Sequence, residues 1–529
     1  MSAPESVLRN VGVIGAWNAV SRVTGFVRAL AVAGALGATF LGNTYQSANL
    51  LSTVLFEVLA AGLLSAPLVP VVVGLLASER EDDANRLLGD LLGTALAALG
   101  VLVVAGAAAG PWIMRALTTG VAPAGRDDQI RLGSFLLWFF LPQLLLYATG
   151  AIATAWLTAR RRFAAAAAAP VANNIVVVAT MLLFMATRPG GRPNLDLPLV
   201  PRLVLALGTS AGVFALAAVP WMAARRVGLR VRLRVAPRDA GVRQVARRAG
   251  WAAALVAAHQ VLAAVTLVLA NRVEGGVVAY QLGFTFFLLP FALLAHPIMT
   301  AQFPSLSARA HAGDTAGFVD ELGRGLRIVA IVTLPAGALL AALSGPLLQT
   351  VRLGQLDRAG AGLVAPVLSA YAVGLTGFAL AMFMGRAFAA LGDTRTPGVV
   401  AAWTTAAGVA AMVTAAAALE GRGLVVGLGL VHSTVAVAGA VWLYVRLRAR
   451  MGVPVPLVAT TGRGLVAAGA AAAAAAGVAS AVRTPSRAGE ALALAGGGVV
   501  GVSVALATAR LLHEPEVVSL GHALRGGRR

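Results

Sequence analysis

The sequence predicts an all-α polytopic membrane protein with about fourteen transmembrane helices, and three observations lead to this fold class. The chain has 529 residues, of which 59% are hydrophobic and only 12% are charged. Soluble domains carry roughly 25% charged residues. The apolar runs are about 20 residues or longer, the length that an α-helix needs to cross a bilayer. Because lipid offers the backbone no hydrogen bonds, these runs must form helices, whereas barrel strands would be shorter and would alternate in polarity.

The predicted spans follow one another along the chain with mostly short connections. The first apolar run carries two arginines, and no small-residue cleavage motif follows it. We therefore expect a retained first helix and not a cleaved signal peptide. The spans are predicted at residues 11–36, 45–76, 88–110, 131–157, 163–186, 202–223, 248–271, 277–303, 327–349, 361–391, 397–419, 423–447, 461–482 and 488–512.

The charge balance predicts the orientation of the chain. The formal net charge is +21, and all 42 basic residues are arginines. Such a balance can indicate nucleic-acid binding, but here the arginines lie in connections between apolar spans, which favours a role in topology. The most basic connections, at 225–248, Arg160–Arg162 and Arg446–Arg450, each join an even-numbered span to an odd-numbered one. The positive-inside rule then predicts that both termini are cytoplasmic.

The longest basic connection also predicts the domain organisation. It separates two sets of six spans and leaves a terminal pair. We therefore expect an N-terminal lobe with the first six spans at 1–224, a basic cytoplasmic connection at 225–248, a C-terminal lobe with the next six spans at 249–450, and the last two spans with a cytoplasmic tail at 451–529.

The two sets of spans carry signs of an internal repeat. Because equivalent spans lie six apart, an even number, the two lobes are predicted to be parallel six-helix repeats. Transporters are often built in this way, with the substrate site between the repeats. The residues that match at a constant offset of 224 are Pro142, Tyr147, Gly150 and Arg162 in and after the fourth span, and Pro366, Tyr371, Gly374 and Arg386 in the tenth.

Two arginines inside the first span are the main candidates for substrate binding. A charge at the middle of the bilayer costs at least about 2.5–3.5 kcal/mol, so such residues face a bundle interior or a wet cavity. Arg22 and Arg28 lie about 9 Å apart along the helix and about 120° apart around it. Arginine binds phosphate through a planar fork and stays ionised. The pair therefore predicts a site for an anionic head group, although Arg28 could instead be an interfacial anchor and Arg22 a structural ion pair.

The second span supplies further polar candidates. Glu57 is the only carboxylate predicted to lie well inside a span. It is a candidate coupling residue, or it forms an ion pair with one of the two arginines. Asn49 precedes it on the same span, and we count it with the substrate-binding candidates. Most other polar residues of the spans are expected to form hydrogen bonds between helices.

The sequence gives no sign of enzymatic chemistry. It has no Cys, and it lacks P-loop, GxSxG, DxD and HExxH motifs and any HxxxH pair. No segment outside the spans is long enough for a nucleotide-binding domain. We therefore predict a protein that is not an enzyme, with no metal site and no cofactor, whose transport would be driven by an ion gradient or the membrane potential.

Several short motifs carry a resemblance that covers nearly the whole chain. The combination of SRxxGFxR with FxPQ is specific, whereas either motif alone would be weak. These features resemble the MurJ/MviN family of lipid II flippases, within the multidrug/oligosaccharidyl-lipid/polysaccharide exporter superfamily. The matching stretches are SRVTGFVR at 21–28, LGA at 36–38, FLPQ at 140–143, FPSLS at 303–307 and DTRTP at 393–397.

The resemblance implies a function. Such a protein would flip the undecaprenyl-diphosphate-linked peptidoglycan precursor across the bacterial cytoplasmic membrane by alternating access. Two lobes would enclose a cationic cavity, and the last two helices would form a groove for the lipid tail. Arg22 and Arg28 match family arginines of that cavity, and Ser21 belongs to the same motif. Its partners would be the lipid-linked precursor, membrane lipids and cell-wall synthesis proteins, with no nucleic acid.

The chain departs from the family pattern at three positions. Asn43 stands where the family often has Asp, and Phe56 and Thr285 stand where cavity arginines are expected. The resemblance therefore implies at most two cavity arginines here. Three readings stay open: a lipid II flippase, a flippase for another polyprenyl-linked glycan or a related exporter, and a non-transporting scaffold of the cell-wall machinery.

Overall fold

The computed structural model describes residues 3–60, 68–188, 190–239, 241–243, 260–452, 457–482, 484 and 486–512. In these ranges the regular elements are helices, and none is a strand. Eleven of the described helices are long and apolar enough to cross a membrane, or twelve if a bent pair is taken as one span. The all-α polytopic fold is thus confirmed, but the number of fourteen spans is not. The predicted spans 45–76 and 248–271 lie partly outside the described residues.

The chain divides into two compact units. Unit 1 contains Met1–Val277 and the short segment Leu353–Leu356, and unit 2 contains Val278–Arg352 and Asp357–Arg529. The described helices of unit 1 are α1 Ala3–Leu36, α2 Phe40–Ala60, α3 Leu68–Ala77, α4 Glu81–Ala108, α5 Gly110–Leu117, α6 Pro123–Phe140, α7 Gln143–Ala159, α8 Phe163–Thr187, α9 Leu199–Arg226 and α10 Gln260–Ala270.

The remaining helices run from the end of unit 1 through unit 2. A π-helical turn, Phe291–Ala295, lies between the first two of them. They are α11 Gly276–Pro290, α12 His296–Ala312, α13 Thr315–Ala342, α14 Ser344–Val351, α15 Arg358–Ala372, α16 Leu375–Ala390, α17 Arg395–Ala418, α18 Gly421–Met451, α19 Val458–Val482 and α20 Arg487–Leu511.

The predicted ninth span, 327–349, is wrong in its boundaries. Helix α13 begins at Thr315, twelve residues earlier, and ends at Ala342, and the short α14 is separate. The start is fixed by Asp314, whose Oδ1 accepts a hydrogen bond of 2.9 Å from the backbone N–H of Gly317. Hydropathy locates only the apolar part of a helix, so it misses polar turns that a cap adds outside the membrane.

The described helices of the two units repeat the same pattern. Helices α4 and α13 each have 28 residues, and each is followed by an eight-residue helix, α5 or α14. A broken pair comes next in both units, α6–α7 and α15–α16. The second helices of these pairs start at Gln143 and Leu375, an offset of 232 residues. The matches at an offset of 224 are therefore displaced from the structural repeat, because Pro142 lies at its break while Pro366 lies inside α15.

Both breaks are stabilised by a serine from a later helix of the same unit. Pro142 has no N–H to donate, so the helix breaks there, and Ser210 Oγ donates to the nearby carbonyl of Phe139 at 2.9 Å. In unit 2 the pair α15–α16 bends by 48°. There Ser433 Oγ contacts the carbonyl oxygens of Ala370 at 2.6 Å and Tyr371 at 3.1 Å. The carbonyl of Tyr371 also accepts from the N–H of Gly374 at 2.9 Å, so the serine hydroxyl adds to the backbone hydrogen bonds at this break.

Asn43 connects α2 to the turn before α11. Its side chain is fully buried. The Nδ2 atom donates to the carbonyl of Val273 at 2.8 Å, and Oδ1 accepts from the N–H of Val277 at 3.0 Å. An aspartate could make only the second of these bonds, because an ionised carboxylate has no donor. The departure from the family pattern at this position therefore has a structural explanation.

Replacing this amide should destabilise the fold. We expect Asn43→Ala to lower the free energy of unfolding by about 2–3 kcal/mol, since it leaves two backbone groups without a partner. Thermal unfolding of the purified chain in detergent would measure the change. Asn49→Ala is the matched control, because no side-chain hydrogen bond of Asn49 is found in the described residues and we expect only a small shift. Equal midpoints for the two variants would contradict the bridging role of Asn43.

Candidate functional site

The first residue of the site is Arg28, a half-buried side chain of α1 in unit 1. Its guanidinium lies within electrostatic range of two phenols, Tyr45 on α2 and Tyr147 on α7. Among the described residues no carboxylate pairs with it. A half-buried cation without a counter-ion is costly in an apolar helix bundle, and an anion would offset that cost.

The two phenols are held in place by their neighbours. The hydroxyl of Tyr45 is 2.8 Å from Thr209 Oγ1, and its ring meets Phe140 edge-on with centroids 5.8 Å apart. Tyr147 stacks on Phe56 with a centroid distance of 4.1 Å and hydrogen-bonds with Thr53. Because Thr209 Oγ1 donates to the carbonyl of Leu205 and Thr53 Oγ1 donates to that of Asn49, the two phenols donate their protons to these threonines. The guanidinium is then the charged donor that is left for an anion.

Asn49 lies on the face of α2 that carries these groups. Tyr45, Asn49 and Thr53 follow at intervals of four residues, so they line one side of the helix. The side chain of Asn49 is half-buried, and its carbonyl accepts from Thr53 Oγ1 at 3.2 Å. The buried hydroxyls of Ser47 and Ser52 have no hydrogen-bond partner among the described residues. This part of α2 therefore has polar groups that no described residue uses.

Arg22 and Ser21 lie one to two turns further toward the start of α1. Arg22 is exposed, and no ion pair to it is found in the described part of the chain. The carbonyl of Ser21 accepts from Asn174 Nδ2 of α8 at 3.3 Å, and Thr24 Oγ1 accepts from the same amide at 3.0 Å. A Cβ on Gly25 would lie 3.5 Å from that amide nitrogen. Part of the SRVTG stretch thus packs α1 against α8, while Arg22 is left available.

Glu57 forms a hydrogen bond with a residue other than the arginines. Its carboxylate accepts from Gln260 Nε2 of α10, and the side chain of Glu57 is exposed. No ion pair of Glu57 with Arg22 or Arg28 occurs within the described residues. The structure thus connects the second span to the seventh through this acid.

Two positions where the family pattern has arginine are filled by uncharged side chains with local partners. Phe56 stacks on Tyr147. Thr285 Oγ1 donates to the carbonyl of Gln281 one turn earlier, at 2.9 Å. The described residues of both units contain no group of His, Asp and Glu that could hold a metal ion. The described part of the site therefore relies on arginine, phenol and amide groups.

The two phenols are not among the site residues that the sequence predicts. Tyr147 is predicted only as a repeat position, and Tyr45 not at all. The available signal is the spacing of Tyr45 four residues before Asn49, which places both on one side of α2. The proximity of Tyr147 could not be read from the sequence, because it depends on how α7 packs on α2.

The DTRTP motif is a structural turn in unit 2. Asp393 Oδ1 accepts from the backbone N–H of Thr396 at 2.9 Å, and its Oδ2 accepts from Thr396 Oγ1 at 2.7 Å and from Arg450 Nη1 at 2.6 Å. The Thr396 N–H, the Thr396 hydroxyl and the Arg450 guanidinium hold the pKa of Asp393 below its ordinary value. The motif connects the start of α17 to the end of α18.

This pKa shift predicts a pH dependence of stability. A lowered folded-state pKa contributes stability above the unfolded-state pKa, near 4, and the contribution is lost as the pH falls through the folded-state value. We expect Asp393→Asn to unfold more easily than the parent at pH 7 by about 1–2 kcal/mol, with the difference disappearing at pH 2–3. Thermal unfolding across this pH range would measure it. The exposed Asp320→Asn, which breaks an i,i+4 pair with Arg324, is the control, and an equally large effect there would contradict the prediction.

Comparison with known proteins identifies a family. Residues 32–490 match the family model described as Lipid II flippase MurJ. A probable lipid II flippase MurJ from Rhizobium meliloti is 24% identical over 443 residues, which cover 83% of this chain and 81% of that protein. The lipid II flippase MurJ from Burkholderia cenocepacia is 25% identical over 399 residues, covering 74% and 75%.

Solved structures agree with the fold. A structure described as lipid II flippase MurJ in the inward closed conformation superposes with a TM-score of 0.75 at 16% identity, covering 95% of this chain and 99% of that one. An inward-facing multidrug resistance MATE transporter of the MOP superfamily gives a TM-score of 0.64 at 13% identity, covering 81% and 95%. At these identities the likeness shows the fold alone.

Proposed function

The chain belongs to the lipid II flippase MurJ family, and on this premise we propose that it flips the undecaprenyl-diphosphate-linked peptidoglycan precursor by alternating access. The family consists of lipid transporters and not of enzymes, and its members are multi-pass membrane proteins of bacteria. The proposal for this chain includes a cationic central cavity that binds the diphosphate, and cytoplasmic positions for both termini.

One observation carries the proposal: Arg28 lies inside a span within electrostatic range of two fixed phenols and has no carboxylate partner in the described residues. A diphosphate is the part of a lipid-linked precursor that carries dense negative charge. A guanidinium binds it with two parallel hydrogen bonds and stays ionised. The same chemistry would not suit a cationic drug, which needs carboxylates.

The other substrate-binding candidates extend this site along α1 and α2. We assign Arg22 to the same anion because it is cationic, exposed and without an ion pair among the described residues. Asn49 supplies an amide on the polar face of α2, and Ser21 lies beside Arg22. Repeats with matching helix breaks favour alternating access, because each repeat is a unit with its own core.

A flippase for another polyprenyl-linked glycan is the alternative supported by an observation. Two positions where the family pattern has cavity arginines hold Phe56 and Thr285, and both side chains have local partners. The diphosphate is common to such cargoes, whereas the sugar is not, so the anion site would be the same. A scaffold of the cell-wall machinery, in contact with cell-wall synthesis proteins, would need no anion site at all.

Complementation tests the proposed function and the role of the arginines. Cells depleted of their own lipid II flippase should regain growth and outer-face accessibility of the precursor when this chain is expressed. We expect Arg28→Ala or Arg22→Ala to lower the rate of flipping roughly 10–100-fold, because each removes charge-assisted hydrogen bonds worth about 1.5–3 kcal/mol.

The matched control is Arg131→Ala, an arginine of unit 1 whose side chain is 79% exposed and which pairs with Asp128. It should leave the rate unchanged. Membrane expression without any rescue would reject lipid II as the cargo. Full rescue by the Arg22→Ala/Arg28→Ala double variant would reject the anion site and favour the scaffold.

Glu57 is proposed as the coupling residue, since its carboxylate connects α2 to α10 through Gln260. Glu57→Gln removes the charge and keeps an acceptor for the Gln260 amide. We expect this variant to bind the precursor with unchanged affinity and to lose the stimulation of flipping by an ion gradient in proteoliposomes. A gradient response equal to that of the parent protein would reject the coupling role.

A further inference from the structure

A segment of the basic connection lies against α4 in an extended conformation. We call residues Gly228–Ala236 the α4 strap. The backbone N–H of Arg230 donates to Asn85 Oδ1 at 2.8 Å, and the N–H of Ala236 donates to Thr94 Oγ1 at 3.0 Å. These two hydrogen bonds fix the strap near its start and at its end, so it is held on the helix and is not a free loop.

Two glycines on α4 make room for the strap. A Cβ on Gly89 would lie 2.3 Å from the carbonyl oxygen of Arg232, and a Cβ on Gly93 would lie 2.5 Å from that of Arg234. With Asn85 these glycines follow at intervals of four residues, so they form one stripe of the helix. Because the glycines have no side chain, the backbone of the strap can lie directly against the backbone of α4.

The contacts of the strap extend past the start of the predicted apolar span in α4. Its contacts advance along α4 from Asn85 to Thr94, about 13 Å at 1.5 Å per residue. Thr94 lies about 9 Å beyond Leu88, where the apolar part of the helix begins. Interfacial segments that lie on a membrane bury their apolar side about 5–10 Å into the boundary between headgroups and acyl chains.

The side chains of the strap alternate between arginine and aliphatic residues. The first two aliphatic residues, Leu229 and Val231, pack into a core of unit 1. The next two, Leu233 and Val235, are 62% and 61% exposed. Exposed aliphatic side chains next to an apolar span are better placed among acyl chains than in water.

The arginines of the strap are mostly without counter-ions. Arg234 lies 3.6 Å from Asp90, which is nearly buried on α4. Arg230 and Arg232 are exposed, and no carboxylate pairs with either among the described residues. Basic side chains near a membrane surface attract anionic lipids, each by about 1 kcal/mol.

We propose that the α4 strap is a binding site for anionic phospholipids, with Arg230 and Arg232 on the phosphate groups and Leu233 and Val235 among the acyl chains. The occupant is the lipid of the surrounding leaflet. The depth of the strap and its mixture of charge and aliphatic surface favour a lipid over a soluble protein partner. The proposal does not depend on the cargo that the protein transports.

The absence of cysteine from the chain permits a direct test. The variant Leu233→Cys would be labelled with a bimane fluorophore and reconstituted in vesicles that contain brominated phosphatidylglycerol or brominated phosphatidylcholine at equal mole fractions. Ala312→Cys, an exposed position at the end of α12, serves as the solvent control. We expect quenching at position 233 well above the control, and stronger quenching by phosphatidylglycerol.

The role of Arg230 and Arg232 is tested in the bimane-labelled Leu233→Cys variant. Arg230→Gln with Arg232→Gln should reduce the preference for phosphatidylglycerol about fivefold per arginine removed. Arg446→Gln with Arg448→Gln removes two exposed arginines of α18 and should leave it unchanged. If the first pair misfolds, Arg230→Lys with Arg232→Lys keeps the charge and should keep the preference.

Two outcomes would overturn the proposal. Quenching at position 233 no greater than at position 312 would mean that the strap faces water or a protein. Equal quenching by the two lipids would mean that the strap contacts the bilayer without recognising its charge. Gly89→Ala provides an independent check, because its Cβ displaces the strap and should reduce quenching at position 233.

Discussion

The arrangement of the helices around Arg28 is constrained by the free-energy cost of placing a charged side chain in hydrocarbon. A span can carry an arginine only where something offsets that cost. In the described part of unit 1, Arg28 meets this condition with phenols and without a carboxylate. A permanent internal anion would stabilise the helix equally well, but it would neutralise the site. Among the described residues, Arg28 thus has uncharged neighbours and no internal anion.

Small and polar residues position this cation by close packing of the helices. Asn174 of α8 holds the backbone of α1 at Ser21 and the hydroxyl of Thr24. Asn43 holds α2 to the turn before α11. Lipid tails are as apolar as leucine, so helices in a membrane gain little from apolar contact and more from close approach and hydrogen bonds. The polar residues of the spans thus fall into two groups, those with protein partners and those without.

The fold could be predicted from the sequence to a large extent, whereas the site could be predicted only in part. Long apolar runs and the lack of charge determine helices and their order, and the predicted ends agree closely for α8 and α19. Caps and polar turns extend α13 beyond its apolar part, and hydropathy does not detect them. Arg28 was identifiable because charge inside a span is rare. Tyr147, Gln260 and the α4 strap were not, because their roles arise from contacts between residues far apart in the chain.

The two helix breaks have a consequence for mechanics. At each break, carbonyls of the interrupted helix are bound by a serine hydroxyl from another helix, Ser210 in unit 1 and Ser433 in unit 2. The backbone hydrogen bonds of an uninterrupted helix resist bending because they would all have to lengthen together. A serine hydroxyl, in contrast, can follow its acceptor by rotating about one bond. Each of these two described breaks can therefore change its angle without losing the serine contact. The pair α15–α16 is bent by 48°, whereas Gly125–Ala159 of α6–α7 forms one long span, so the two repeats, alike in plan, differ in how strongly they bend.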